Sequence, residues 1–301
     1  MMQTTHNPIG KAFSELKVRL PAVALDCRPA LSAAGVTSVY VIAMTGRSGS
    51  TWLTSALKQI PGVGHPAEYF SESALRFHGD YSHDQSLEEH IGHLARSRST
   101  GGRFGFKINP RRLDWLGQYI DLQHSFAPPF CSWIDMKRRN IVKQAFSFAR
   151  AHKSGKWHDF TNRAKAPVDG PDAAETAPDF HPVEDRMVWH HLAMILGQEQ
   201  QIETFYRTTG FQPLRIFYEE ISDSKAQLLI KVLHHIGAAL PDPGDLGQTR
   251  DGTRKLARDP RADEEEYRFC LRYADLLGEI NLQRAEIDVS RLTDRISDMF
   301  P

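Results

Sequence analysis

The sequence predicts an α/β domain with a mainly parallel central sheet flanked by helices. Two observations carry this. Short apolar runs of strand length alternate with helix-periodic stretches, as in successive β–α–β units. The first run, residues 39–44, feeds a Gly/Ser-rich turn and then a helical stretch over 52–58. A chain of 301 residues is long enough to bury a sizeable core around such a sheet.

The elements follow in order. Residues 11–20 suggest a short helix ended by Pro21, and the chain to residue 38 reads as irregular. After the first strand and helix, Pro61-Gly62-Val63-Gly64-His65-Pro66 is a loop by composition and leads into Ala67-Glu68-Tyr69-Phe70. A helix is expected at 87–96 and an alternating strand at 103–108. Pro128-Pro129 precedes a strand over 130–136, followed at once by Lys137-Arg138-Arg139. Val142, Ala145, Phe146 and Ala149 then recur at helical spacing, predicting a helix over 141–152. Residues 155–182 are rich in Pro, Asp, Ala and Gly and read as a mobile lid loop. Beyond them lie a long helix (184–206), a strand (213–218), a helix (225–236) stopped by Gly237, a loop (241–252) and helices over 264–277 and 292–300. The acidic run 263–266 suits a helix start, where negative charge opposes the dipole.

Composition narrows the function. Lys+Arg and Asp+Glu both number 37, giving no net charge, which argues against a dedicated nucleic-acid partner. Cys27, Cys131 and Cys270 are scattered and odd in number, so a reducing compartment and no metal are expected. No stretch reaches transmembrane length and residues 1–38 lack a signal-peptide pattern, so the expected location is cytoplasmic.

The turn Thr45-Gly46-Arg47-Ser48-Gly49-Ser50-Thr51 carries the chemistry. Between a strand and a helix N-terminus, its backbone N–H groups can wrap an anion. It lacks the Gly-x-x-x-x-Gly-Lys spacing of a nucleotide-triphosphate loop, which counts against a magnesium-dependent kinase. The plainer alternative is an ordinary strand–turn–helix junction with a serine cap. Lys107 and Arg138 also fall at predicted strand ends, the edge where open α/β sheets bind ligands, and the helix after Arg138 carries Gln144 and Ser147. A solvated basic corner is the alternative for the three consecutive cations.

These residues resemble the bacterial trehalose sulfotransferase-like family, whose members take a sulfuryl group from 3′-phosphoadenosine 5′-phosphosulfate (PAPS). The likeness runs over about residues 38–275, through Arg47-Ser48-Gly49-Ser50-Thr51, the segment 64–70, Phe104-Gly105-Phe106-Lys107 and the segment 138–151, with Trp157 following. It implies a P-loop-like three-layer sulfotransferase domain over 38–301 behind a variable N-terminal extension, 1–37. It also implies that Arg47, Ser48, Gly49, Ser50 and Thr51 hold the phosphosulfate and that Arg138 and Ser147 hold the 3′-phosphate. Lys107 would contact the sulfuryl group or its bridging oxygen, and Glu68 would act as general base, its pKa raised by burial beside Tyr69 and Phe70; on its own, a loop glutamate is equally a solvated or capping carboxylate. The implied acceptor is a carbohydrate or glycolipid hydroxyl; no metal is required, and the family allows a homodimer. His65 stands where the family can carry an acid, and Arg139 where proline is usual. A kinase-like phosphotransferase and a non-catalytic nucleotide-binding module remain the alternatives.

Several residues stay open on sequence alone. His65 is the second candidate for the base. The adjacent pairs His190-His191 and His234-His235 face different sides of their helices and cannot form an i, i+4 metal pair. Trp157 and His158 suit either sugar stacking or packing. Arg254, Lys255 and Arg258 either close over the nucleotide or form a solvated face.

Overall fold

The computed structural model describes residues 19–70, 85–155, 180–241 and 260–300. At its centre lie β1 (Ser38–Met44), β2 (Arg103–Ile108), β3 (Cys131–Lys137) and β4 (Leu214–Phe217). They form one sheet in the order β2-β1-β3-β4, with every pairing parallel. The expected strands are therefore present within a residue or two of their predicted ends.

Burial on both faces explains why the strands read as nearly continuous apolar runs. Along β1, Val39, Val41 and Ala43 enter one core with Leu31, Ile91, Phe104, Phe106 and Trp133. Tyr40, Ile42 and Met44 enter the other with Leu53, Leu57, Leu229 and Leu233. The first face is covered by α1 (Arg28–Ala33), α3 (Leu87–Arg98) and α4 (Pro110–Gly117). The second is covered by α2 (Ser50–Leu57) and by Leu228, Leu229, Val232 and Leu233 of a helix that follows β4.

A third apolar cluster joins α6 (Ile141–Ser154) to α7 (Asp185–Thr209). It also takes in α10 (Pro260–Arg272), α11 (Ala274–Gln283) and α12 (Val289–Met299). The remaining helices among the described residues are α5 (Leu122–Ser125), α8 (Tyr218–Asp223) and α9 (Lys225–His235). Among the described residues no helix is long and apolar enough to cross a membrane.

Some expectations change. The helix expected over 264–277 is two, α10 and α11, broken at Tyr273. The acidic run lies at the start of α10, with Asp263 in its first turn, and Glu265 and Glu266 hold Arg150 at 2.7 and 3.1 Å. The irregular stretch before residue 38 contains α1 and delivers Cys27 and Leu31 to the core. Arg19 and Leu20 are not helical, and the rest of the helix expected at 11–20 lies outside the described residues. Residues 156–179 of the expected lid, with Trp157 and His158, also lie outside them, as do Arg254, Lys255 and Arg258.

Candidate active site

In a parallel sheet all strands end on the same edge, so the residue after each strand faces a common space. Here those four residues are Thr45, Asn109, Arg138 and Tyr218. The register places Met44 beside Met136 and Lys137 beside Phe217, so their successors lie abreast.

The turn after β1 is bent sharply. Arg47 has φ +63°, and it is the one described non-glycine residue in that region. Gly49, at φ +92°, is the N-cap of α2, whose first N–H groups are aimed at the turn. Two glycines are needed for space as well. A Cβ on Gly46 would lie 2.2 Å from the Phe148 ring, and one on Gly49 would lie 2.3 Å from the Tyr218 ring. Gln144, buried inside α6, donates from Nε2 to Thr45 Oγ1 at 2.8 Å and to the Gly46 carbonyl at 2.7 Å. That pair of bonds ties the turn to α6. Ser48 is fully buried, and its hydroxyl has no hydrogen-bond partner among the described residues. Burying a hydroxyl without a partner is costly. An anion in the cradle would satisfy it.

On one side the turn meets β2. Lys107 Nζ donates to Thr51 Oγ1 at 3.2 Å and lies 4.0 Å from Glu68 Oε2. Burial pushes the Lys107 pKa down, opposed by the Glu68 carboxylate and reinforced by Lys58. Glu68 is brought here because the segment before it runs beside β2, with Ala67 bridged in parallel to Phe106 and accepting from the Lys107 N–H at 3.0 Å. Its other oxygen, Oε1, accepts from Asn109 Nδ2 at 3.2 Å. Asn109 is itself fixed, since its Oδ1 caps α4 by accepting from the Arg112 N–H at 3.0 Å.

The surroundings of Glu68 differ from the expected apolar pocket. Tyr69 and Phe70 turn into the core, stacking on Phe104 and meeting Phe106 edge-on. The Glu68 side chain keeps 27% of its exposure and has polar neighbours, Lys107 and Asn109. The His65 side chain is exposed; its carbonyl accepts from the Tyr69 hydroxyl and its N–H donates to the Arg98 carbonyl.

On the other side the turn meets β3, α6 and β4. Arg47 Nε donates to Ser147 Oγ at 3.0 Å. Burial lowers the Arg47 pKa and the like charge of Arg138 adds to this, while Tyr218 opposes it. Arg138 lies over the Tyr218 ring, 4.6 Å from its centroid. Thus Ser147 is bonded to Arg47, and Arg47 and Arg138 lie near enough for their charges to act on each other. The other two cations of the basic run go elsewhere. Lys137 pairs with Glu203 at 2.6 Å, and Arg139 stacks over Phe217. Glu219 accepts the N–H groups of Arg139 and Asn140 at 3.0 and 3.2 Å. Burial would raise the Glu219 pKa, but these two bonds, its own backbone N–H and the charge of Arg138 together hold it low.

Of the histidines, His191 is 2% exposed, lies stacked on Phe148 and is pushed down by burial to a pKa of about 4, with His190 and His152 adding to the fall. It packs behind the Phe148 ring that supports Gly46. His234 is exposed, and His235 Nε2 lies 2.9 Å from the Trp133 carbonyl oxygen. Among the described residues no group of three or more His, Cys, Asp or Glu side chains is arranged to hold a metal ion.

Sequence reasoning missed Asn109 and Tyr218 as members of this site. Asn109-Pro110 is a legible helix start, yet its contact with Glu68 spans 41 residues and depends on β2 lying beside the 67–70 segment.

A family model described as Stf0 sulphotransferase matches residues 113–274, more than half of the chain. The span includes Arg138, Gln144, Ser147 and Tyr218 and stops short of the turn, Glu68 and Lys107. No curated protein matches the chain.

Proposed function

The chain belongs to the Stf0 sulphotransferase family, and from that premise we propose that it moves a sulfuryl group from PAPS to a carbohydrate hydroxyl by in-line displacement. The family makes it a sulfotransferase that depends on PAPS. The sugar acceptor, on a glycan, glycolipid or disaccharide, and the roles of the individual residues are the proposal.

One observation carries the assignment of roles: the order of side chains along the sheet edge. Glu68 comes first, then Lys107, Thr51 and the turn, then Arg47 with Ser147, then Arg138 over Tyr218. This order suits a donor lying across the strand ends with its sulfuryl end at Lys107 and its 3′-phosphate at Arg138. Three cations and the unpartnered Ser48 hydroxyl fit an anionic donor. The fit extends to geometry, because Arg binds phosphate through a planar fork and the N–H groups at a helix start favour an anion.

The donor supplies the sulfuryl group and a bisphosphate that departs with the electrons of the broken S–O bond. Glu68 takes the acceptor's hydroxyl proton as the new S–O bond forms. Asn109 fixes one of its oxygens and leaves Oε2 facing Lys107. Lys107 balances charge at the transferring group, and Arg47 with the turn N–H groups balances the charge gathering on the departing phosphate. Positioning and preorganised charge are the main sources of rate in such transfers.

The test is transfer of labelled sulfate from PAPS into extracted glycans and glycolipids by the purified protein. Label in a sugar hydroxyl is expected. Label only in a non-carbohydrate acceptor would overturn the sugar assignment. Magnesium-dependent ATP turnover without sulfate transfer would favour a phosphotransferase, and PAPS binding without transfer to any acceptor would favour a nucleotide-binding module.

A further inference from the structure

Arg138 sits on the three-residue turn between β3 and α6, and that turn is gripped from two sides. Glu219 takes its N–H groups, those of Arg139 and Asn140. Its carbonyl groups go to a residue far along the chain, Arg284, at the C-terminal end of α11. Arg284 Nη2 donates to the Arg138 carbonyl at 2.6 Å and Nη1 donates to the Arg139 carbonyl at 2.8 Å.

The same guanidinium is held in place by Glu199 of α7. Nε donates to Oε2 at 2.9 Å and Nη2 to Oε1 at 2.6 Å, a two-point pairing of planar groups. The Glu199 side chain is 6% exposed and that of Arg284 21%. A buried, forked pair of this kind has one orientation, so the two carbonyls receive donors from a fixed direction. The backbone of Arg138 is thereby anchored to α7 and α11, while its side chain extends over Tyr218 towards Arg47.

We infer that Arg284, oriented by Glu199, is a positioning residue for the 3′-phosphate of the donor, acting through the backbone of Arg138. The inference rests on the reading of Arg138 as the 3′-phosphate ligand. It extends the donor site beyond residue 274, where the family match ends. Lysine cannot replace Arg284, because a tetrahedral ammonium cannot pair with both carboxylate oxygens and both carbonyls at once.

The experiment compares binding of adenosine 3′,5′-bisphosphate and adenosine 5′-phosphate by calorimetry, using the full chain and R284K. R284K keeps a positive charge beside Glu199 but loses part of the hydrogen-bond set, so it is expected to stay folded with a melting temperature lower by a few degrees. Its preference for the bisphosphate is expected to fall by about tenfold or more, the size of a lost hydrogen bond to a charged group. The monophosphate affinity is expected to change little. A folded R284K with the full preference would overturn the inference. The double variant E199Q/R284M removes both charges and is expected to lose the preference as well; if R284K does not fold, it decides by the same criterion. Equal binding of the two nucleotides by the unaltered protein would instead refute the role given to Arg138 itself.

Discussion

Replacing Gly49 with alanine should damage stability and donor binding together, by an amount the geometry bounds. The φ of +92° lies where an L-residue is strained by about 1–2 kcal/mol. The added Cβ would also lie 2.3 Å from Tyr218 Cδ2 and 3.2 Å from the Met136 methyl, against 3.4 Å or more for ordinary contact. The Tyr218 ring is rigid and lies beneath Arg138, so relief requires it to move by over an ångström. Overpacking of this kind costs about 1–3 kcal/mol. The sum is about 2–5 kcal/mol, a large fraction of a typical domain's total of about 5–15 kcal/mol. Urea unfolding of Gly49→Ala measures it directly. The same substitution made on a Tyr218→Ala background removes the overlap and leaves the strain, so its penalty should shrink to about 1–2 kcal/mol. A loss below about 0.5 kcal/mol in the single variant would mean that position 49 is neither strained nor crowded. An equal loss on both backgrounds would mean that the Tyr218 ring adds nothing to the penalty. In the folded fraction, displacement of the ring carries Arg138 with it, and affinity for adenosine 3′,5′-bisphosphate should fall more than that for adenosine 5′-phosphate.

Glu68→Gln keeps the hydrogen-bonding shape beside Asn109 but cannot accept a proton; turnover should drop about 10²–10⁴-fold with bisphosphate binding preserved, and unchanged turnover would remove Glu68 from the chemistry. Arg138→Ala should cost the bisphosphate about 1.5–3 kcal/mol and the monophosphate far less by calorimetry, whereas equal weakening would place the 3′-phosphate elsewhere. Lys107 gives a pH signature. Burial lowers its folded pKa below the unfolded value, so the folded protein releases this proton first as pH rises. The cost of burying its charge is full below the folded pKa and is relieved as pH climbs towards the ordinary lysine value of about 10.4. Stability from this group therefore rises through that window while activity falls. Lys107→Arg, which stays charged, should move the alkaline limb of kcat/KM upward, and a limb unmoved in that variant would mean another group sets it.

Much of the site was legible because its parts are local. A strand, a small-residue turn and a helix start are contiguous in 39–57, and period and turn chemistry reveal them without knowledge of the rest of the fold. Arg138 and Ser147 share one strand–helix unit, so their spacing was readable too. The short helices were harder. α5 and α8, of four and six residues, are too brief for a helical period to emerge.

Sequence alone was enough for the alternation of strands and helices, the buried parallel sheet and the strand–turn–helix junction at residues 39–57. All of these follow from side-chain volume, backbone preference and spacing within a few tens of residues. The strand order β2-β1-β3-β4 was decided only in three dimensions, and with it the neighbours across the sheet edge. Tyr218 meets Gly49, Asn109 meets Glu68, and Arg284 grips a turn about 146 residues away, because parallel packing brings together strand ends that the chain keeps far apart. Such contacts leave no periodic trace. An asparagine after a strand reads as a helix cap, and an arginine on a C-terminal helix reads as surface charge, until packing supplies the group each one holds.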